Sequence, residues 1–234
     1  MGRLNNVVAL SGELFDALEV NAARTGNHKR AAVRMSRLAV QATAGSMSRA
    51  EAHARAGEQW LLADDPTEAV EQFQKAIADG GPTFDEPRVP LARAMFALDR
   101  SDDATEAVEQ FQKAIADGGP TFDNPRVSLA RAMFALGRTD DADALLRELR
   151  ESDALTKPRT CDLVAELLTE QGDLQAALDW ATAGVEASLS SGEDRNELQL
   201  LLRLRYRLRL DLGLPEDDYD KLLDDGEAGP AAGM

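Results

Sequence analysis

The chain has 234 residues, and its hydrophobic fraction of 44% contains few aromatic residues, only 5% of the total, so that alanine and leucine predominate. This composition favours helices over strands. The formal net charge of −16 argues against nucleic-acid or anionic-membrane partners, because both require positive charge facing phosphates. One cysteine and two histidines exclude an internal disulfide framework and leave little for a metal site.

The N-terminal stretch MGRLNNVVALSGELF has no continuous apolar segment and no cleavage-site pattern, so no signal peptide is expected. No apolar run approaches the roughly 20 residues that span a bilayer. The sequence therefore predicts a cytoplasmic protein that has no cofactor and contacts neither nucleic acid nor membranes.

Residues 1–46 carry a net charge of +3, against −19 for the rest of the chain. Two helical patterns in this segment contain Leu4, Val7, Val8, Leu14, Phe15 and Leu18, and then Val33, Leu38 and Val40 with Arg30, Arg34 and Arg37 on one face. The run Gly45-Ser46-Met47 is typical of a junction between joined sequences. The segment is either a fused or docked leader or a native N-terminal helical hairpin. We predict that residues 27–44 are helical and pack against the remainder.

The first complete helix pair begins after this junction. The stretch MSRAEAHARAGEQWLLADD has the periodicity of a helix, and DDPTEAVEQFQKAIADGG follows it with a second helical pattern. Asp64 or Asp65 suits the N-cap of the second helix and Pro66 its first turn. The Gly80-Gly81-Pro82 run ends it, because proline cannot continue a helix.

A stretch of 38 residues then occurs twice in succession, first as residues 67–104 and again as residues 105–142. The copies differ at four positions, which are Glu86/Asn124, Pro90/Ser128, Asp99/Gly137 and Ser101/Thr139. Each copy predicts a helix, a short turn and a second helix, with Asp85 or Glu86 as the cap of the second helix in the first copy. A single pair cannot bury its apolar face, whereas stacked pairs can, so the period predicts an α-solenoid.

The C-terminal third continues the pattern of paired helices. Pro158 is predicted to begin a helix and Gly172 to end it, and Ala177, Ala181 and Gly184 line its partner. Residues 191–214 predict a closing helix that is capped by Ser191. Residues 215–234 form an acidic tail, of which we expect the last ten residues to be disordered. The expected domains are thus residues 1–46, repeats over 47–190, the capping helix and the tail.

The helix pairs resemble the tetratricopeptide repeat family over about residues 48–190. The matching positions are Gly57, Trp60, Ala69, Phe73, Ala76 and Pro82, then Ala107, Phe111, Ala114 and Pro120, and finally Val164, Ala165, Leu168, Gly172, Ala177 and Gly184. The period of 38 departs from the usual length of about 34 residues, and the surplus falls in the turn GGPTFD.

The resemblance implies an all-α fold: a right-handed superhelix of stacked helical hairpins, with a C-terminal capping helix. It also implies a concave groove that binds peptides or helices of partner proteins, and no catalytic activity. Arg93 lies three residues before Phe96, so both lie on one helix face, and Arg131 and Phe134 repeat this pair. The candidate groove residues are Glu58, Arg93, Phe96, Arg131, Phe134 and Glu166. The alternative for both phenylalanines is packing between helices.

The other residues that could suggest a catalytic or metal site are expected to have structural roles instead. Cys161 and His53 are expected to pack between helices and not to act as nucleophile or ligand. The aspartate pairs 64–65, 102–103 and 140–141 are expected to cap helices and not to bind calcium. Four arginines, at positions 203, 205, 207 and 209, are expected to pair with nearby carboxylates on a capping helix.

Two functions therefore remain open. The leading one is a protein-interaction module or adaptor whose groove binds a helix or peptide of a partner protein, with a basic and helical partner expected. The alternative is a structural protein that forms homo-oligomers through its solenoid ends or through exchanged N-terminal helices.

Overall fold

The computed structural model describes residues 10–41, 46–98, 101–118, 121, 123–192 and 195–223. Within these residues the chain forms α-helices, one short 3-10 helix and connecting turns, with no β-strand among them. The chain divides into two compact units, Met1–Ala132 and Met133–Met234. The predicted all-α class is confirmed, as is the succession of helices packed against their neighbours in sequence.

The helices are α1 (Gly12–Thr25), α2 (His28–Gln41), α3 (Arg49–Leu62), α4 (Pro66–Asp79), α5 (Arg88–Ala97), α6 (Ser101–Asp117), α7 (Pro125–Ala135), α8 (Thr139–Arg150), α9 (Pro158–Gln171), α10 (Leu174–Ser191) and α11 (Arg195–Asp211). The 3-10 helix spans Asp153–Thr156 between α8 and α9. No helix in the described parts of the chain is long and apolar enough to cross a membrane.

Helix boundaries follow the cap residues of the sequence at several places. The Asp65 side chain accepts a hydrogen bond from the Glu68 backbone N–H, and Pro66 occupies the first turn of α4, both as predicted. Gly80 ends α4 and Gly172 ends α9, each with a left-handed backbone that glycine adopts without strain. These boundaries confirm how proline and glycine divide the sequence into helices.

The N-terminal helices pack against the first repeat in the first unit. Helix α2 buries Ala31, Met35 and Ala39 in a cluster that also contains Ala52 and Ala56 of α3. The prediction of a packed helix after residue 27 is thus confirmed as far as Gln41, and residues 42–45 lie outside the described residues. Because Arg30, Arg34 and Arg37 are exposed, the contact is made mainly by small apolar side chains.

Identical sequence in the two copies does not produce identical helix starts. Helix α4 begins at Pro66, whereas α6 begins at Ser101, one turn before the equivalent position. The residue directly before the first copy is Pro66, whereas the residue directly before the second copy is Ala104. Because no proline stands there, α6 extends further towards the N-terminus than α4 does. Phe73 and Phe111, which are equivalent, are both buried, so the packing of the two copies agrees where their helix starts differ.

Several predicted caps do not occupy the N-cap positions of their helices. Ser191 is the last residue of α10, whose C-cap is Gly192, and it does not cap α11. The N-cap position of α5 is Pro87 and not Asp85 or Glu86, although the Glu86 carboxylate accepts a hydrogen bond at 3.3 Å from the backbone N–H of Arg88, the first residue of the helix. Asp140 and Asp141 lie inside the first turn of α8 and not ahead of it, where they still favour the helix dipole, and positions 102–103 likewise fall within the first turn of α6.

In the second unit, α10 packs against both α9 and α11. Gly184 permits the close approach, because a Cβ there would lie 2.8 Å from Cβ of Cys161 and 2.8 Å from a methyl carbon of Leu201. The segment after α11 folds back, so that Tyr219, Leu222 and Leu223 pack against the cluster around Leu201. Residues 224–234, which contain the predicted disordered stretch, lie outside the described residues.

A buried arginine joins this returning segment to α11. The Arg205 side chain is 4% exposed, and its guanidinium donates to Asp220 at 2.9 Å and to Asp217 at 3.0 Å. Arg209 also pairs with both carboxylates, and the Arg205 guanidinium lies 4.9 Å from the ring centre of Tyr219. The expected pairing of the closing-helix arginines is therefore confirmed for these two residues.

Candidate functional site

A pocket of about 260 Å³ opens between α3, the start of α5 and the turn that joins α4 to α5. Its walls are contributed entirely by the first unit. The lining residues are Glu51, Ala54, Arg55, Glu58, Phe73, Phe84, Asp85, Pro87, Val89, Pro90, Arg93 and Asp123. Two of the predicted groove residues, Glu58 and Arg93, therefore meet in one site.

The turn over residues 80–87 is held against the N-terminal end of α3. The Phe84 backbone N–H donates to the Glu51 carboxylate at 2.7 Å, and the Ser48 hydroxyl donates to the Pro82 carbonyl. Gly81 lies close to the same helix end, since a Cβ there would be 3.2 Å from Cβ of Ser48. The backbone of the turn is thus fixed while the Phe84 side chain stays 79% exposed at the pocket wall.

Glu58 is one of four half-buried carboxylates that line the pocket. Burial raises the pKa of Glu58, and the negative charges of Asp85, Glu19 and Asp123 raise it further. Arg93, which is largely exposed on α5, acts in the opposite direction without reversing the shift. The ionised form of Glu58 is therefore less favourable in this pocket than it would be in water.

The second basic residue of the pocket, Arg55, forms ion pairs with residues of α1 that lie outside the pocket. Its guanidinium pairs with Asp16 at 2.6 Å and with Glu19 at 2.5 Å, and it lies 5.6 Å from the ring centre of Phe15. Hydrogen bonding to Glu19 raises the pKa of Arg55, so its charge is permanent. Helix α1 therefore balances the Arg55 charge with two carboxylates that do not line the pocket.

The other predicted groove residues do not line this pocket. Phe96 is half-buried on α5, and Arg131 is half-buried on α7 in the same unit. Phe134 is half-buried in the second unit, and Glu166 is exposed there on α9. Partial burial of both phenylalanines agrees with neither a fully buried core position nor a free surface anchor.

Phe84 is the site residue that the sequence interpretation missed. The signal was present in the turn GGPTFD, whose extra residues lengthen the period beyond that of the family. An aromatic residue in a lengthened polar turn is a candidate contact residue, because loops carry binding residues more often than helix cores do. Its equivalent in the second copy, Phe122, lies outside the described residues.

The remaining candidates have structural roles. Cys161 is fully buried, and burial raises the pKa of its thiol to about 12, so it stays protonated at neutral pH. His53 is 6% exposed, and its Nδ1 lies 2.9 Å from Oε1 of Gln72. Both residues pack between helices as expected. No group of three or more metal-ligating side chains occurs among the residues that the structure describes.

The paired helices define the class of the protein, an α-helical repeat protein. Two family models, both described as tetratricopeptide repeat, match the sequence, one over residues 101–167 and the other over residues 86–110. The matched part of the chain, residues 86–167, therefore carries tetratricopeptide repeats, which confirms the resemblance stated from the sequence. A search of curated proteins found no significant match.

Proposed function

We propose that the chain is a protein-interaction module whose first unit binds a helical or extended segment of a partner protein at the pocket between α3 and α5. Tetratricopeptide repeats are in general protein–protein interaction modules and typically non-catalytic scaffolds. The observation that carries the proposal is Phe84, an exposed aromatic side chain on a fixed turn beside a pocket. A cytoplasmic location is part of the same proposal.

The exposed ring favours binding for an energetic reason. Burying a phenylalanine side chain contributes about 1.5–3 kcal/mol, and aromatic residues are frequent anchors at protein interfaces. The hydrogen bond from the Phe84 N–H to Glu51 already orders the backbone of the turn. A partner would therefore lose less free energy to ordering this surface than it would on a mobile loop.

The test begins with selection of displayed peptides that bind the full chain. The affinities of the selected peptides are then measured for the unmodified protein, the Phe84→Ala variant and the Leu62→Ala variant. We expect selected peptides to lose roughly tenfold in affinity on Phe84→Ala, the equivalent of about 1.4 kcal/mol. Leu62→Ala is the matched control, because Leu62 is 59% exposed in the same unit and does not line the pocket. Failure to enrich any peptide, or equal losses in both variants, would refute the proposal.

The second unit supports self-assembly as the alternative function. Four large leucines are exposed on α10, on α11 and just beyond: Leu189, Leu200, Leu210 and Leu214. For self-assembly these leucines would have to form a contiguous apolar patch, which is the feature that marks association surfaces. Sedimentation velocity over a range of protein concentrations tests this alternative. A mass that rises with concentration and returns to the monomer value in a Leu200→Ser/Leu210→Ser variant supports it, and a constant monomer mass refutes it.

A further inference from the structure

We propose that the pocket of the first unit is a subsite for the side chain of a basic residue, arginine in particular, in the bound segment of the partner. This inference rests on the proposed function, since it names the chemistry of the residue that enters the same site. The partner is thus a protein with a basic segment, and the pocket selects it by charge.

The charges of the lining favour a cation. Four carboxylates line the pocket, at positions 51, 58, 85 and 123, against the two guanidiniums of Arg55 and Arg93. Arg55 is already paired with two further carboxylates from α1, so its charge is compensated from outside the lining. The surplus of negative charge lies in a protein whose net charge is −16, which attracts basic segments from a distance.

The shape of the pocket favours one long side chain. Its volume of about 260 Å³ is below the range of about 300–1,000 Å³ that is usual for small-molecule sites. Phe84, Pro87 and Pro90 supply apolar wall for the methylene groups of such a side chain. The flat guanidinium of arginine also stacks on aromatic rings, and the exposed Phe84 ring offers a face for it.

The carboxylates can accept hydrogen bonds from an entering guanidinium. A carboxylate has about four acceptor positions, and the Glu51 carboxylate, which accepts from the Phe84 N–H at 2.7 Å, lines the same pocket as Glu58. Burial and neighbouring negative charges make ionised Glu58 unfavourable in the empty pocket, as its raised pKa shows. A bound cation would offset the repulsion among these carboxylates.

The test uses short acetylated and amidated alanine/glutamine peptides that differ only at one central position. The probes carry arginine, lysine, citrulline or glutamate there; citrulline has nearly the shape of arginine without its charge. Binding to the full chain is followed by NMR titration, with the backbone amides of Ala54 and Val89 as reporters of the pocket. The variants are Glu58→Gln and Phe84→Leu, and Glu106→Gln is the control, because Glu106 is exposed and outside the lining.

We expect the arginine peptide to shift both reporters and to bind about tenfold more tightly than the citrulline peptide, with glutamate weakest. Glu58→Gln and Phe84→Leu should each weaken arginine binding several-fold, and Glu106→Gln should leave it unchanged. Higher salt should weaken it in the unmodified protein. Equal binding of arginine and citrulline, no binding of either, shifts elsewhere in the protein, or insensitivity to Glu58→Gln would each overturn the proposal.

The two proposals can fail separately. If displayed peptides bind at Phe84 but share no basic residue, the interaction module stands and the basic subsite is refuted. If the arginine peptide binds in the pocket while no displayed peptide is enriched, the subsite chemistry stands and the interaction function is refuted.

Discussion

Replacing Gly57 with alanine tests how closely α3 and α4 approach each other. A Cβ at position 57 would lie 2.7 Å from two ring carbons of Phe73 and 2.9 Å from a third. Phe73 is fully buried, so its ring has little room to move aside. Gly57→Ala should therefore destabilise the first unit, although alanine is the better helix former.

Two opposing terms set the size of the effect. Overpacking a core position costs roughly 1–3 kcal/mol, whereas Gly→Ala inside a helix contributes about 0.8–1.0 kcal/mol. The net loss in free energy of unfolding is therefore about 1 kcal/mol. In a Phe73→Leu background the ring is absent, and the same Gly57→Ala change should become stabilising by up to about 1 kcal/mol.

The assay is urea unfolding followed by fluorescence of Trp60, which is buried in α3 of the same unit. The chain has two tryptophans, so a Trp180→Phe background makes Trp60 the reporter of the first unit. The sign of the Gly57→Ala effect should invert between the two backgrounds. Stabilisation in both would show that the ring yields freely and refute the close-contact argument.

Three further predictions use the same kind of measurement. Phe73→Ala should lower the free energy of unfolding by about 3–5 kcal/mol, and Phe96→Ala should lower it by less, because Phe96 is only half-buried. Equal losses for the two variants would place both side chains in the core. Arg205→Met should destabilise the second unit by up to about 3–5 kcal/mol, since it removes the buried partner of Asp220. Adding Asp220→Asn to the same chain should recover part of this loss, and no recovery would contradict an electrostatic cause. His53 has a pKa lowered chiefly by burial, so its contribution to stability is present above the unfolded pKa of about 6.5 and is lost as the pH falls through the folded pKa. His53→Gln should therefore flatten stability between about pH 7.5 and 5.5, and an unchanged slope would refute the assignment.

The fold could be predicted because its signals are local. Proline and glycine fix where α4 and α9 begin or end, and the repeated period identifies the unit that stacks. The start of α6 could not be inferred by copying α4, because the deciding residue, Pro66, precedes the repeated stretch. Ser191 failed as a cap because α10 continues through Ser191 to its C-cap at Gly192.

The site could be predicted only in part, because it depends on contacts between distant residues. The helical register placed Arg93 on an accessible face, and α5 does present it to the pocket. The burial of Glu58, and the ion pair between Arg55 and Glu19 of α1, depend on packing between helices that are far apart in sequence. The lengthened turn GGPTFD marked Phe84 as a candidate contact residue, but the Glu51 hydrogen bond that holds this turn in place could not be inferred from the sequence.

The packing of α2 on α3 determines which fragments of this protein can be studied safely. A chain that started at Met47 would begin as a plausible repeat domain, but Ala52 and Ala56 would face water where Ala31 and Met35 now cover them. The uncovered end of a helical stack exposes apolar surface. A second copy of the chain, or any apolar helix, can then bind where α2 packs in the intact protein. Binding or oligomerisation seen only in such a fragment would report the missing N-terminal helices and not the biology of the intact chain.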